Sequence, residues 1–289
     1  MRSDRQLCAR LGTDLLFHWF IDLPLDEEVS DPTVFSKNQA RLLTHEVADL
    51  FFSEVVASAR RHGWVSDDHF SVDGTLIEAW ASMKSFRPKG TATGPGGGNA
   101  WMDFKGEKRT NDTHESTTDP AAKLVRKGPG KEARLCFAGH ATMENRNGLC
   151  VLLAVQPAVG APESAVAVEQ MTELRNRGFT PKTVGADKGY HPREFVEGVR
   201  EQNIVPHCAR KEGQRTLHVL LTLAHAISQK LRKRIEEIFG WTKTIGCFRK
   251  SRDRGVERTH AQGQYVVAAS NLVLMAKLMV TAPPKMARA

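Results

Sequence analysis

Residues 133–155 read ARLCFAGHATMENRNGLCVLLAV, and this stretch decides the fold. Two apolar runs, 133–143 and 149–155, flank the tetrapeptide Asn145-Arg-Asn-Gly148. Asn-Gly is the strongest short-range hairpin signal, because both residues tolerate a positive φ angle. The sequence therefore predicts an antiparallel hairpin near the middle of the chain.

The segments on either side of this hairpin predict the rest of a sheet. Upstream, residues 69–80 alternate in the manner of a strand. Downstream, the pattern predicts a helix ending at Gly178, short strands at 183–186 and 204–208 with a helix between them, and a late helix at about 219–241. A hairpin followed by βαβ crossovers predicts a mixed β-sheet flanked by helices. This is the element order of the ribonuclease-H-like fold, with an insertion after the first strand.

The remaining segments give the expected domain organisation. Residues 1–66 have helical apolar spacing and predict a helical N-terminal region, while 67–289 form the sheet-containing domain. Residues 84–132 are polar and rich in Gly and Pro, which predicts a flexible surface insertion. The last helix, 262–278, is apolar on most sides and is expected to pack on the core.

Composition narrows the classes of protein. The chain of 289 residues has a net charge of +8, which favours an anionic partner, and nucleic acid is the first candidate. A hydrophobic content of 40% excludes wholesale disorder. The 5 cysteines are odd in number and never form a C-x-x-C pair, which argues against a disulfide framework and against a zinc site.

No membrane or export signal is evident in the sequence. Charged and polar residues interrupt the apolar ones in the first 25 positions, so no signal peptide is predicted. The apolar stretch 265–280 contains Ser270, Asn271 and Lys277 and is judged too short to span a bilayer. We expect a cytoplasmic protein with no membrane partner.

Three carboxylates occupy positions suited to metal binding. Asp73 lies in the first predicted strand, and Asp187 follows a short buried strand at the edge where open α/β sheets place their ligands. Glu236 lies on the late helix. Such hard oxygen ligands suit Mg²⁺, which takes few carboxylates together with substrate phosphates. Two such ions can activate the attacking oxygen and stabilise the leaving oxygen in phosphoryl transfer.

The late helix also carries cations at helical spacing. Arg232 precedes Glu236 by one turn and Lys243 follows it by two, so the three share a face if the helix continues that far. Glu237 points about 100° away and is the alternative ligand. The same pattern also fits a charged helix face in solvent.

Four segments of the chain, 70–82, 139–149, 186–190 and 234–243, resemble a known family. They are similar to the bacterial insertion-sequence DDE transposases of insertion-sequence family five, and the resemblance covers nearly the whole chain. It implies a ribonuclease-H-like core in which Asp73, Asp187 and Glu236 hold two Mg²⁺ ions, with Mn²⁺ as a substitute. It also implies cutting at the element's terminal inverted repeats and joining of the freed ends to target DNA.

The family's late signature is tyrosine, two residues, arginine, three residues, glutamate, six residues and lysine. Arg232, Glu236 and Lys243 fit that spacing, whereas Gln229 occupies the tyrosine position. Similar proteins begin further upstream, so residues 1–66 are expected to be a truncated DNA-contacting region. The resemblance also implies a homodimer in the active complex and a place at the nucleoid in the bacterial cytoplasm.

Further cations are expected to contact DNA phosphates and to give salt-dependent affinity. With Arg232 and Lys243 they are Lys188, Arg234, Arg249 and Lys250. Two alternatives stay open. One is a catalytically inactive transposase remnant that binds the element's ends without cutting them, and the other is a ribonuclease-H-like nuclease that cuts without joining strands.

Overall fold

The computed structural model describes residues 3–90, 109–160, 162–190, 193–209 and 223–281. The chain divides into two units, Met1–Leu50 and Phe51–Ala289. The first unit contains helices α1 (Asp4–Leu11), α2 (Leu15–Ile21) and α3 (Thr33–Thr44). Ser3 and Asp14 cap α1 and α2 by accepting backbone N–H groups of the first helical turn. Helix α4 (Val47–Arg61) crosses the boundary between the units.

The second unit contains one main sheet, a small two-stranded sheet and the remaining helices. In chain order its elements are β1 (His69–Glu78), β2 (Phe86–Pro88), β3 (His114–Ser116), β4 (Lys123–Arg126), β5 (Ala133–Glu144), β6 (Cys150–Pro157), α5 (Glu163–Asn176), β7 (Thr183–Ala186), α6 (Arg193–Glu201), β8 (Val205–Cys208), α7 (Leu223–Leu231), α8 (Ile235–Thr244) and α9 (Val256–Thr281).

The strand order of the main sheet is β6-β5-β1-β7-β8, with β4 also paired to β5. Strands β1, β5 and β6 pair antiparallel, while β7 is parallel to both β1 and β8. The predicted mixed sheet is therefore confirmed. Leaving β4 aside, the order is third, second, first, fourth, fifth, with the first three strands antiparallel, which is the arrangement of the ribonuclease-H-like fold.

The predicted hairpin is confirmed as β5 and β6, and a buried carboxylate closes its turn. Gly148 has a φ of 80°, the conformation that the Asn-Gly signal predicted. The side chain of Glu144 accepts hydrogen bonds from Ser66 Oγ at 2.8 Å, Arg146 N at 3.0 Å and Asn147 N at 2.9 Å. These bonds tie the turn to the segment that precedes β1.

The predicted insertion, 84–132, contains three of the short strands. Strands β2 and β3 pair with each other, and β4 joins the main sheet beside the first residues of β5. Residues 91–108, including the Gly-rich stretch, lie outside the described residues. The described part of this segment therefore extends the main sheet by one strand.

Helices cover both faces of the sheet. Thr142, which pairs with Val72 and so shares its face, donates to Gln170 of α5. On the opposite face, Lys243 of α8 donates to Thr75 of β1. Because side chains alternate along a strand, Asp73 points to the same face as Thr75. The α8 side of the sheet therefore carries the predicted site.

Helix α9 is longer than the apolar stretch seen in the sequence. Its 26 residues make it, by length and composition, the one helix in the described ranges that could cross a membrane, so the argument from insufficient length was wrong. Core helices of soluble proteins pass the same test. Asn271 bonds both backbone groups of Cys150 in β6, and a Cβ at Gly263 would lie 2.7 Å from Leu153 Cδ2. These contacts pack one face of α9 against β6, while only 33% of its most apolar window is buried.

Replacing the buried Glu144 with alanine leaves the part-buried donors Ser66, Arg146 and Asn147 without their acceptor. We expect the free energy of unfolding to fall by about 2–4 kcal/mol. Urea denaturation measures the change. Glu132→Ala is the matched control, because its side chain is 73% exposed and its loss should cost less than about 0.5 kcal/mol. Equal effects of the two substitutions would contradict this role.

Candidate metal centre

The parallel pairing of β1 with β7 places two predicted site residues side by side. Ser71 pairs with Gly185, and Asp73 and Asp187 each follow two residues further along the chain, where the charge of Asp187 acts on Asp73. Neighbouring strands lie about 4.8 Å apart, so the two carboxylates share one edge of the sheet. Asp187 follows the last residue of β7, as the sequence predicted.

The electrostatics of Asp73 reflect this neighbourhood. Burial raises its pKa to about 6, and the negative charges of Asp187 and Glu163 act in the same direction. The Gly74 N–H, which donates to Asp73 Oδ1 at 2.8 Å, and the positive charge of Arg232 lower it. Burial and like charge together therefore disfavour the ionised form of Asp73.

Gly189 leaves space beside the carboxylate of Asp187, and Gly74 leaves space beside that of Glu163. Gly189 N donates to Asp187 Oδ1 at 2.5 Å, and a Cβ at Gly189 would lie 2.8 Å from that oxygen. A Cβ at Gly74 would lie 2.7 Å from Glu163 Oε1. Side chains at either position would crowd an acidic oxygen.

The two aspartates fit a magnesium ion, although a full set of protein ligands is not assembled. In the described ranges, no three His, Cys, Asp or Glu side chains converge closely enough to hold a metal. Mg²⁺ commonly uses only one or two carboxylates and takes its other oxygens from water and substrate phosphates. The Asp73–Asp187 pair, with its glycine clearance, meets that requirement.

Gln229 of α7 holds the ends of the strands that lead into this edge. Its Nε2 donates to Ala186 O at 3.3 Å and to His207 O at 2.5 Å. Ala186 immediately precedes Asp187. In the sequence, Gln229 differs from the tyrosine of the family signature, and no pattern predicted these contacts.

The late helical segment is not one uninterrupted α-helix. Residues Arg232–Arg234 form a 3₁₀ turn between α7 and α8. A 3₁₀ turn advances about 120° per residue instead of 100°, which rotates α8 by about 60° relative to the predicted continuous helix. Arg232 nevertheless lies near Asp73, and Lys243 donates to Thr75, so both cations lie on the β1 side.

Glu236 and Glu237 are both exposed at the start of α8. At 100° per residue, Lys243 lies about 20° from Glu236 but about 120° from Glu237 around the helix. Glu236 is therefore on the side of the helix that carries Lys243. Within the described residues the structure does not bring Glu236 into a ligand group with the two aspartates.

The other predicted DNA-binding cations differ in their surroundings. Lys188 is exposed directly after Asp187. Arg249 and Lys250 are exposed beside the end of β1, where Glu78 N donates to Arg249 O at 3.0 Å and Lys250 Nζ lies 3.8 Å from Glu78. Arg234 instead donates to the carbonyl oxygens of Asn145 and Arg146 at 2.9 and 3.3 Å, which favours a structural role at the hairpin turn.

Sequence reasoning missed Glu163, the first residue of α5. Burial and the charge of Asp187 raise its pKa, which places it near the candidate centre. An acidic residue in the first turn of a helix is common, because it complements the helix dipole, so no sequence signal singles Glu163 out.

Family models match most of the chain. A model described as Transposase DDE domain matches residues 100–272. A second, described as Transposase domain, matches residues 1–41. No curated protein sequence matches the chain.

Solved structures show only distant similarity to the chain. A chain of the simian T-cell lymphotropic virus intasome, in complex with PP2A regulatory subunit B56 gamma, is 8% identical with a TM-score of 0.33, covering 70% of this chain and 48% of its own. The piggyBac transposase synaptic complex with hairpin DNA is 9% identical with a TM-score of 0.39, and the match covers 90% of this chain and 58% of that one. The Mos1 mariner paired end complex with Mn is 9% identical with a TM-score of 0.27, and the match covers 96% of this chain and 74% of that one. The chain thus spans about half the length of the first two, and these scores carry no part of the family assignment.

The raised pKa of Asp73 makes stability depend on pH. Between its ordinary value of 3.8 and about 6, the folded protein retains a proton that the unfolded chain releases. This retained proton on Asp73 stabilises the folded protein fully below pH 3.8, and the stabilisation is lost as the pH rises through about 6. Asp73→Asn keeps the uncharged form, so it should raise the melting temperature of metal-free protein at about pH 7.5 but not at about pH 4.

Calorimetry in a chelator measures this difference. Asp68→Asn is the control, because the pKa of Asp68 is shifted in the opposite direction: a hydrogen bond from Lys182 and the charge of Lys182 lower it. Its replacement should not raise the melting temperature at about pH 7.5. A decrease in the melting temperature of Asp73→Asn at that pH would contradict the assignment of a raised pKa to Asp73.

Proposed function

The chain belongs to the family of transposases with a DDE domain, and from that premise we propose that it cuts DNA at the ends of a mobile element and joins them to target DNA. The observation that carries the proposal is the parallel pairing of Ser71 with Gly185, since Asp73 and Asp187 follow two residues further along and the charge of Asp187 acts on Asp73. Open α/β sheets bind their ligands at this carboxyl edge. The excess of positive charge on the chain, +8, suits a DNA substrate.

Asp73 and Asp187 would hold divalent metal, with Glu236 as the third carboxylate. We propose Mg²⁺ as the metal, bound as two ions, with Mn²⁺ as a substitute. When bound, the ions would supply Lewis-acid stabilisation of the charge that develops on the phosphate oxygens during transfer. Glu236 is preferred over Glu237 because it shares the Lys243 side of α8.

The chain's own cations would bind and orient the DNA backbone. Arg232 lies near Asp73, and its buried Nε has no hydrogen-bond partner among the described residues. Lys243 of α8 donates to Thr75, which lies two residues after Asp73 on β1. The two would place a phosphate beside the aspartates, while Lys188, Arg249 and Lys250 would contact the flanking backbone. These phosphate contacts supply affinity without reading sequence.

The substrates we propose are the terminal inverted repeats of the element and the target DNA. A homodimer would bring two ends together in one complex. The site of action would be the nucleoid in the bacterial cytoplasm. Gln229 would act as a positioning residue, because it holds the backbone immediately before Asp187.

A strand-cleavage assay on an end-containing DNA duplex with Mg²⁺ or Mn²⁺ tests the proposal. Asp73→Asn and Asp187→Asn should each reduce cleavage by about 100-fold or more. DNA affinity should be retained, because both substitutions remove negative charge. Asp68→Asn, on the exposed surface before β1, should cleave like the unmodified protein.

Three outcomes of this assay would contradict the proposal. Cleavage that is unaffected by both aspartate substitutions would exclude this centre. DNA binding without cleavage by well-folded protein would support the inactive remnant. Cleavage without strand joining would support a nuclease.

The choice of Glu236 is tested by a matched pair of substitutions. Glu236→Gln should weaken both Mn²⁺ binding and cleavage, while Glu237→Gln should leave both within about twofold of the unmodified protein, because Glu237 lies on another side of α8. Isothermal titration calorimetry and the cleavage assay measure the two quantities. The reverse pattern would assign the third carboxylate to Glu237.

A further inference from the structure

Helix α9 carries a second apolar face beside the one that packs on β6. The buried face includes Asn271, which bonds to both backbone groups of Cys150 in β6. Other large apolar side chains of the same helix are 38–87% exposed, and they are Tyr265, Leu272, Val273, Met279 and Val280. A helix that is apolar on all sides is normally covered on all sides. Within the described residues, this second face of α9 has no covering element.

The exposed residues form one continuous stripe along α9. Five exposed positions recur at alternating spacings of four and three residues, and they are Tyr265, Ala269, Leu272, Ala276 and Met279. At 100° per residue, these five positions lie within about 80° of one another around the helix. Between residues 265 and 281 the one charged residue is Lys277, which lies about 140° from Leu272. The stripe itself is therefore uncharged.

Phe51 of α4 widens this surface beside the first residue of the stripe. Its ring centroid lies 6.1 Å from that of Tyr265, and 43% of Phe51 is exposed. Together with the large side chains of α9 it leaves an exposed apolar patch on the order of 500 Å². Patches of this size on a monomer are often interaction sites. The patch would supply more than half of the roughly 800 Å² that each partner contributes to a standard protein–protein interface.

The order of large and small side chains makes the stripe complementary to itself. Alternating spacings of three and four residues are those of a coiled-coil seam. Two copies of the stripe can run antiparallel about a two-fold axis that passes between residues 270 and 271. In that register Tyr265 lies opposite Ala276 of the other copy, and Leu272 lies opposite Ala269. Each large side chain then faces a small one, which lets the two helices approach closely.

We propose that this face of α9 is the dimerisation surface of the chain, and that its partner is α9 of a second copy in antiparallel orientation. The inference rests on the homodimer of the proposed function and deepens it by naming the residues that join the two copies. Because Asn271 and Gly263 hold the other face of α9 against β6, the helix pair would connect the two catalytic units directly.

A lipid surface is the competing partner for an exposed apolar helix face. Helices that lie on anionic membranes carry several Lys and Arg residues along their polar face. From residue 265 onward, the exposed part of α9 offers Lys277 alone. The scarcity of positive charge and the alternation of large and small side chains both favour a second copy.

Analytical ultracentrifugation of the full chain, without DNA or metal, tests this surface. The unmodified protein should sediment as a dimer at micromolar concentrations. Leu272→Glu should raise the dissociation constant of the dimer about 100-fold or more, because pairing would bury an unpaired carboxylate among apolar side chains. Lys277→Glu, which places a carboxylate on α9 outside the stripe, is the matched control and should change it by less than about threefold.

The substitution at Leu272 should leave the fold intact. Leu272 is 44% exposed in the single copy, so a glutamate there can reach solvent, and circular dichroism checks this. A monomeric unmodified protein would overturn the proposal. Equal dissociation constants of the unmodified protein and Leu272→Glu would also overturn it.

A mixture of two variants tests the antiparallel register. Ala269→Lys alone should be monomeric, like Leu272→Glu, because each would bury an unpaired charge in the seam. Equal amounts of the two variants should form a heterodimer, because the new carboxylate of one chain then lies opposite the new ammonium group of the other. The second Leu272–Ala269 pair of that heterodimer is unchanged. A mixture that stays monomeric would overturn the proposal.

These measurements are separable from the test of the proposed function. A chain that cuts DNA ends but does not dimerise through α9 would overturn this inference alone. A chain that dimerises through α9 and fails to cut DNA would support the interface and overturn the proposed function. Binding of a monomeric chain to phosphatidylglycerol vesicles, abolished by Leu272→Glu, would assign the face to lipid and overturn the inference.

Discussion

The parallel pairing of β1 with β7 is the constraint on which the candidate centre depends. It aligns Ser71 with Gly185, and so brings the two aspartates to the same edge two residues later. Gly185 permits close packing here, because a Cβ would lie 2.9 Å from Ser228 Oγ of α7 and 3.3 Å from Ser71 Oγ. The arrangement raises the pKa of Asp73 by burial and by like charge, which costs stability at neutral pH. Clustered perturbed carboxylates of this kind are typical of functional sites.

The hairpin turn links the two parts of the site. Asn145 accepts a hydrogen bond from Ser71 Oγ at 3.0 Å, and its backbone carbonyl accepts one from Arg234 at 2.9 Å. Ser71 lies on the strand that carries Asp73, and Arg234 lies in the 3₁₀ turn that begins with Arg232. The turn at 145–148, which lies within the segment 139–149, therefore helps to hold the late helical segment against β1. Its part in the family resemblance has a physical reason in this connection.

The sequence predicted the features that local patterns determine. The hairpin, the mixed sheet and the positions of Asp73 and Asp187 along the chain follow from turn residues, alternation and strand ends. The contacts of Gln229 and Glu163 could not be predicted, because they join segments far apart in the chain. The 3₁₀ turn at Arg232–Arg234 has no marker such as Gly or Pro. The length of α9 was underestimated because its first six residues, 256–261, are mostly polar and lie outside the apolar run.

Anomalous diffraction from crystals of the full chain soaked in Mn²⁺ tests the central claim most directly. The account predicts a manganese peak between the carboxylates of Asp73 and Asp187, with metal–oxygen distances of about 2.0–2.3 Å to both. Occupied manganese elsewhere on the protein, with none at this edge of the sheet, would contradict it.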